Sequence, residues 1–170
     1  EGFRDEVQNK IGENFDSRSQ QSFERELTDA MITKVDPGAP PSMVDNYLSN
    51  IVEDVKKQNK GEPLDEDKVR ETYRPAAERN LKWYLVRKKL IEENELKVER
   101  KDVDQEIETL VQRSPASEKE IRKFYRKPSN RKRLEDDLVE KKILDYLEQF
   151  ANVKEVDVHT KDIRKDTHGY

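Results

Sequence analysis

The stretch from Asp65 to Asn94 limits what this chain can fold into more than any other. Val69, Tyr73, Ala77, Leu81, Tyr84 and Ile91 recur at helical spacing and form one apolar stripe, with Trp83, Val86 and Leu90 forming a second beside it. A helix that is apolar on more than one face needs cover on more than one side. The spacing therefore predicts a central helix with other helices packed around it. Asp65 supplies a cap for its start, and Asp65, Glu66 and Asp67 suit the positive end of the helix dipole. Pro75 removes one backbone donor and crowds the preceding turn, so a kink is expected there.

The remaining segments read as helices too. Phe3, Val7, Ile11 and Phe15, then Phe23, Leu27, Ala30 and Met31, predict a helix over about 3–34, with a possible break near Asp16–Ser19. Asp36-Pro-Gly-Ala-Pro-Pro is the clearest loop. Pro41 and Ser42 then open a second helix, with Ser42 read as its cap, and Val44, Leu48, Ile51, Val52 and Val55 as its stripe over about 42–59. Gly61 and Pro63 end it, and the short loop makes the central helix antiparallel to it. Val103, Ile107, Leu110 and Val111 mark a further helix stopped by Ser114-Pro115. Ser117 with Glu120 reads as a capping box for a short helix carrying Ile121, Phe124 and Tyr125. A last helix over about 130–151 carries Leu134, Leu138, Ile143, Leu144, Leu147 and Phe150. Val156 and Val158 alternate with charges, so the tail from Val153 to Tyr170 is expected to be extended and partly loose. The fold class expected is all-α and elongated. A thin core follows from a composition that is 42% charged and only 32% hydrophobic, which regular apolar spacing keeps from reading as disorder.

That composition also excludes function classes. With 34 basic and 38 acidic residues and a net charge of −4, bulk electrostatics does not favour nucleic acid. Without cysteine there is neither a disulfide framework nor a thiolate metal site, and no metal or other cofactor is expected. No stretch approaches the length of a membrane span, and no membrane partner is expected. The chain opens at Glu1 in what reads as a helix, so it is expected to be a piece of a longer protein.

Chemistry-bearing residues are sparse. The histidines are His159 and His168, both in the tail, where solvated histidines are usual. Asp and Glu alternate with Lys and Arg, as on solvated helix faces with weak pairs of about 0.3–0.5 kcal/mol each. No phosphate-binding glycine loop exists, so no active site is expected. A basic run, Arg122, Lys123, Arg126, Lys127, Arg131, Lys132 and Arg133, contains no acid between Ile121 and Leu134 and is interleaved with Phe124 and Tyr125. It reads either as a solubilising hairpin tip or as an RNA contact, with aromatics to stack on bases. Met43, Tyr47, Tyr73, Leu110, Val111 and Tyr125, with Trp83, are harder to bury in a thin fold than Val44, Leu48 or Leu81. Exposed on a concave face, such side chains would bind other hydrophobic chains, and methionine suits a surface that accepts many sequences.

The order and spacing of four segments resemble the C-terminal domain of trigger factor, a bacterial chaperone family. They are Leu27-Thr-Asp-Ala-Met-Ile with the Pro-rich loop and Pro41-Ser-Met-Val-Asp; Ala77-Glu-Arg-Asn-Leu-Lys-Trp-Tyr-Leu-Val with Leu90-Ile-Glu-Glu-Asn; Val98 with Asp102-Val103; and Glu120-Ile-Arg-Lys-Phe-Tyr with Leu134 to Leu147 and Val153-Lys-Glu. The resemblance implies one domain over 1–170, with a helical body from about 1–35, 76–98 and 134–170. Two protruding arms would come from about 41–75 and 99–133. It implies a cytoplasmic, ATP-independent chaperone whose partners are unfolded or nascent polypeptides, with ribosome docking and prolyl isomerisation in domains absent here. Met43, Tyr47, Tyr73, Leu110, Val111 and Tyr125 are then the expected polypeptide-binding residues. The competing expectations are an RNA- or ribosome-contacting module, a periplasmic peptide-binding domain, and a structural helical spacer.

Overall fold

A computed structural model describes residues 2–59 and 63–157, and every described regular element is helical. Gly61, Val158, His159 and His168 lie outside the described residues. α1 (Gly2–Val35) runs through Asp16–Ser19 without a break. Only its second half is packed, since Val7 and Ile11 are exposed. Asp36 takes a positive φ of 42° and donates its N–H to the Ile32 carbonyl at 2.8 Å, closing the last turn.

α2 (Pro41–Gln58) starts at the Pro40-Pro41 pair. Ser42, expected as the cap, forms no capping hydrogen bond, because the helix begins one residue before it; Pro41 fits the first turn, where its missing N–H has no partner to lose. α3 (Glu66–Asn94) does have its expected cap: Asp65 Oδ1 accepts the Lys68 N–H at 3.1 Å. Pro75 lies inside this single helix, which ends at Glu95 in the left-handed region.

α4 (Arg100–Arg113) begins earlier than its apolar stripe, where Asp102 Oδ2 accepts the Glu99 N–H at 3.1 Å. A 3-10 turn (Pro115–Ser117) leads into α5 (Glu118–Tyr125). The Ser117–Glu120 capping box is not formed, since Ser117 closes the 3-10 turn by donating its N–H to Ser114 at 3.0 Å. α6 (Pro128–Glu148) opens at the proline that stops α5. Phe150, expected in its stripe, lies past its end and is 72% exposed.

The core is divided in three. Val44 and Leu48 of α2 close on Ala77 and Leu81 of α3, with Leu48 and Ala77 fully buried. Arg70 reaches Ser49 at 3.0 Å and Arg74 reaches Asp45 at 3.7 Å, a pairing that confirms the antiparallel register. Val86 and Leu90 of α3 meet Ile143 and Leu147 of α6, with Leu27 and Met31 of α1 against them. Val103 and Ile107 of α4 meet Leu134 of α6, with Ile121 and Tyr125 of α5 alongside. Among the described residues α2 makes no contact with α4, α5 or α6. The accessible surface is 14,055 Å², where a compact chain of this size would expose about 8,800 Å². The thin, spread-out core expected from composition is what the chain forms.

Candidate functional site

α3 organises the surface as it organises the fold. Arg70, Arg74, Ala77 and Leu81 face α2. Arg79 and Lys82 reach across to α1, donating to Asp29 Oδ1 at 2.6 Å and Asp36 Oδ1 at 2.8 Å. The Lys82 ammonium holds the Asp36 carboxyl below its ordinary value. Trp83 Nε1 donates to Glu140 Oε1 of α6 at 2.9 Å, and the Arg87 guanidinium sits 2.9 Å from Glu140 Oε2. Three sides of α3 are therefore occupied.

Tyr73, Asn80 and Tyr84 lie on the remaining side, within about 40° of one another around the helix axis. Tyr73 is 43% exposed and Tyr84 is 51% exposed. Tyr84 was expected in the buried stripe; it is open because the α2 and α6 contacts flank this line without covering it. Asn80 donates Nδ2 to the Tyr47 hydroxyl at 3.2 Å, which joins α2 to the same surface. Met43 and Tyr47 are half-buried against the Val44–Leu81 cluster. Met43, Tyr47 and Tyr73 thus belong to one region of the molecule.

Leu110, Val111 and Tyr125 belong to another. Leu110 is half-buried, and Tyr125 packs on the Val103–Ile107–Leu134 cluster. Val111 is buried, against the expectation that the end of α4 leaves it open; the 3-10 turn and α5 that follow pack against α4. Phe124, expected in the α5 stripe, is instead 56% exposed and meets Tyr125 edge to face at 5.1 Å. Sequence reading missed Tyr84 and Phe124. The eleven-residue spacing of Tyr73 and Tyr84, three full turns with Asn80 between, was the available signal.

Among the described residues three of the seven basic side chains of the run have acid partners, and two of the three, Arg122 and Arg131, are paired with acids distant in sequence. Arg122 makes two bonds to Glu108, at 2.5 and 2.8 Å, and one to Glu118 at 2.8 Å. Arg131 pairs with Asp104, and Lys132 sits 3.2 Å from Glu135 and 3.3 Å from Asp136. These partners hold Glu108 and Asp104 below ordinary carboxylate values and push Arg122 and Lys132 upward. Asp102 is likewise held down, first by the Lys142 bond at 2.9 Å and then by the Glu99 N–H. Among the described residues no group of His, Asp or Glu is arranged to hold a metal ion, and no helix is long and apolar enough to cross a membrane.

The family model described as bacterial trigger factor protein C-terminus matches residues 1–149. The chain belongs to the trigger factor C-terminal family. A trigger factor from Gluconacetobacter diazotrophicus is 29% identical over 96% of this chain and 38% of its own length. One from Methylobacterium radiotolerans is 30% identical over 86% of this chain and 33% of its own length. One from Salinibacter ruber is 27% identical over 86% of the chain and 33% of its length. The chain thus spans about a third of the length of these trigger factors. No solved structure matches it significantly. The family gives the chain a chaperone-related role. The isomerase of trigger factor lies in a different domain, so this stretch is not itself an enzyme.

Proposed function

We propose that this domain is an ATP-independent holdase for exposed hydrophobic segments of unfolded or nascent polypeptides. The observation that carries the reading is the open Tyr73–Asn80–Tyr84 face of α3, continuous with Tyr47 and left uncovered by every helix packed on α3. A protein that spends scarce apolar side chains on exposed aromatics has a use for them. The three clusters support a division into a body of α1 with the C-terminal halves of α3 and α6, and two arms. One arm is α2 with the N-terminal half of α3; the other is α4, α5 and the start of α6. On this division the client surface is Met43, Tyr47, Tyr73 and Tyr84 on the first arm and Leu110, Phe124 and Tyr125 on the second, with Val111 supporting it from beneath.

Each side chain a client covers contributes on the order of 1.5–3 kcal/mol at most. Several together give micromolar binding once the entropy of ordering the client is subtracted. Release then needs no fuel. The setting proposed is the cytoplasm, with the ribosome reached through a domain outside this chain. Replacing Tyr73, Tyr84 and Phe124 together by Ser tests the reading in an assay of aggregation of a chemically unfolded client. Suppression is expected to fall several-fold while helicity stays unchanged. Undiminished suppression would place the client surface elsewhere.

A further inference from the structure

Among the described residues α6 is the only helix that packs on both α3 and α4, which do not touch each other. Residues 95–99 join the end of α3 to the start of α4. Leu138, Lys142 and Tyr146 follow at four-residue intervals along one line of α6. Leu138 packs on the Val103–Ile107–Leu134 cluster and Tyr146 on the cluster of Val86, Leu90, Ile143 and Leu147, so Lys142 stands between the two. Its ammonium donates to the Lys97 carbonyl in the link at 2.8 Å and to Asp102 Oδ2 in the first turn of α4 at 2.9 Å. The same carboxylate oxygen accepts the Glu99 N–H at 3.1 Å. One turn on, the Tyr146 hydroxyl donates to Oδ1 of Asn94, the last residue of α3, at 2.7 Å, and the Asn94 amide donates in turn to the Leu90 carbonyl at 3.1 Å. α6 thus grips the link at its two ends and in its middle.

We infer that Lys142 is a positioning residue: by holding Lys97 and Asp102 to α6 it fixes the angle at which α4 and α5 leave α3, and with it the distance between the two aromatic surfaces that one client must span. The inference rests on the holdase reading and adds to it the device that spaces its two surfaces. Val103, Ile107 and Leu134 seat α4 on α6. A single apolar contact of that size is non-directional and lets α4 rock about it. Leu96 and Val98 anchor the link in the same non-directional way, each against a different cluster. A charged donor shared between a carbonyl and a carboxylate is satisfied only in a narrow range of geometry, so the Lys142 bridge supplies the second point that stops the rocking. The angle matters because two weak sites on one frame reinforce each other only where their spacing matches the client.

Because the chain has no cysteine, Glu53→Cys on α2 and Lys119→Cys on α5, both exposed, give two unique positions for spin labels. Double electron–electron resonance on the labelled chain is expected to show a distance distribution that broadens when Lys142→Met is added, with helicity by circular dichroism unchanged, and that narrows again with Lys142→Arg. Asp102→Asn weakens the same bridge from the α4 side and should broaden the distribution too, which keeps the inference testable if Lys142→Met fails to fold. Binding is read by fluorescence anisotropy with a short, permanently unfolded peptide carrying one apolar segment and a longer one carrying two. Lys142→Met is expected to weaken the two-segment peptide about fivefold and leave the one-segment peptide unchanged, because only the longer one bridges both surfaces. A distribution that keeps its parent width in both variants would overturn the inference and leave Leu96 and Val98 to hold the link. So would a two-segment peptide weakened no more than the one-segment peptide. Either result leaves the holdase reading standing, whereas a parent chain that binds neither peptide overturns both.

Discussion

The α2–α3 pair and the α4–α5–α6 cluster are both small helical units with an apolar cluster of their own, yet they are held by different proportions of the same forces. The first closes on fully buried Leu48 and Ala77, with Val44 and Leu81 completing the cluster. The second has a smaller apolar centre in Val103, Ile107 and Leu134. Its helices are tied across their seams by Arg122–Glu108, Arg131–Asp104 and Lys142–Asp102. Apolar burial is indifferent to pH and strengthened by many salts, whereas exposed ion pairs are screened and titrated away. The α2–α3 seam has ion pairs of its own, Lys56–Glu66 at 2.6 Å and Arg74–Asp45 at 3.7 Å, so the contrast is one of proportion, with the larger buried apolar cluster in the first unit.

The contrast can be broken at its strongest point by Leu48→Ala. It opens a cavity in a fully buried site, and a loss of about 2–5 kcal/mol is expected, read by denaturant unfolding. Hydrogen exchange should show that loss concentrated in α2 and the N-terminal half of α3; an even loss over both units would erase the distinction.

Acid is the next lever. Asp102, Asp104 and Glu108 are depressed from ordinary values of 3.8, 3.8 and 4.5. A depressed carboxylate contributes stability above its unfolded pKa and loses it as pH falls through its folded pKa. The ion pairs of the second unit are therefore intact at neutral pH and weaken below about pH 4. Amide exchange in α4 and α5 should accelerate there before exchange in α2 does, and the order should reverse for no pH in that window. Removing the Asp65 cap with Asp65→Ala is a smaller change, costing about 1 kcal/mol at the start of α3. Thermal unfolding reads it, and it should leave α4–α6 exchange untouched. Smallest in stability is Tyr73→Ser/Tyr84→Ser, expected within about 0.5 kcal/mol of the parent because both rings are solvated. If these substitutions unfold the domain, the rings are core and the client surface must be redrawn.

Much of this architecture was readable from residue spacing. The helical period placed α2, α3, α4 and α6, and the loop residues Asp36–Pro40 separated α1 from α2 as expected. Periodicity marks a face as apolar but does not say which neighbour covers it. On α3 the stripe holding Ala77 and Leu81 also holds Tyr84, and only the positions of α2 and α6 decide that the first two are sealed while the third is open. Cap residues misled where backbone geometry pre-empted them: Ser42 by the proline pair, Ser117 by the 3-10 turn. The basic run was legible as an acid-free stretch, but not its pairing, because the acids that meet Arg122 and Arg131 lie on α4, distant in sequence.

The three-way division of the core also sets an order of assembly during synthesis. Everything the α2–α3 cluster needs has been made once Leu81 is available, and its contacts join neighbouring helices, the kind that form fastest. The central cluster cannot close until Ile143 and Leu147 arrive to meet Val86 and Leu90, with Leu27 and Met31 waiting since the start of the chain. Until then the half of α3 beyond Leu81 presents Trp83, Val86 and Leu90 to solvent. A growing copy of this domain is for that interval itself the kind of exposed apolar chain that the proposed holdase surface takes as a client.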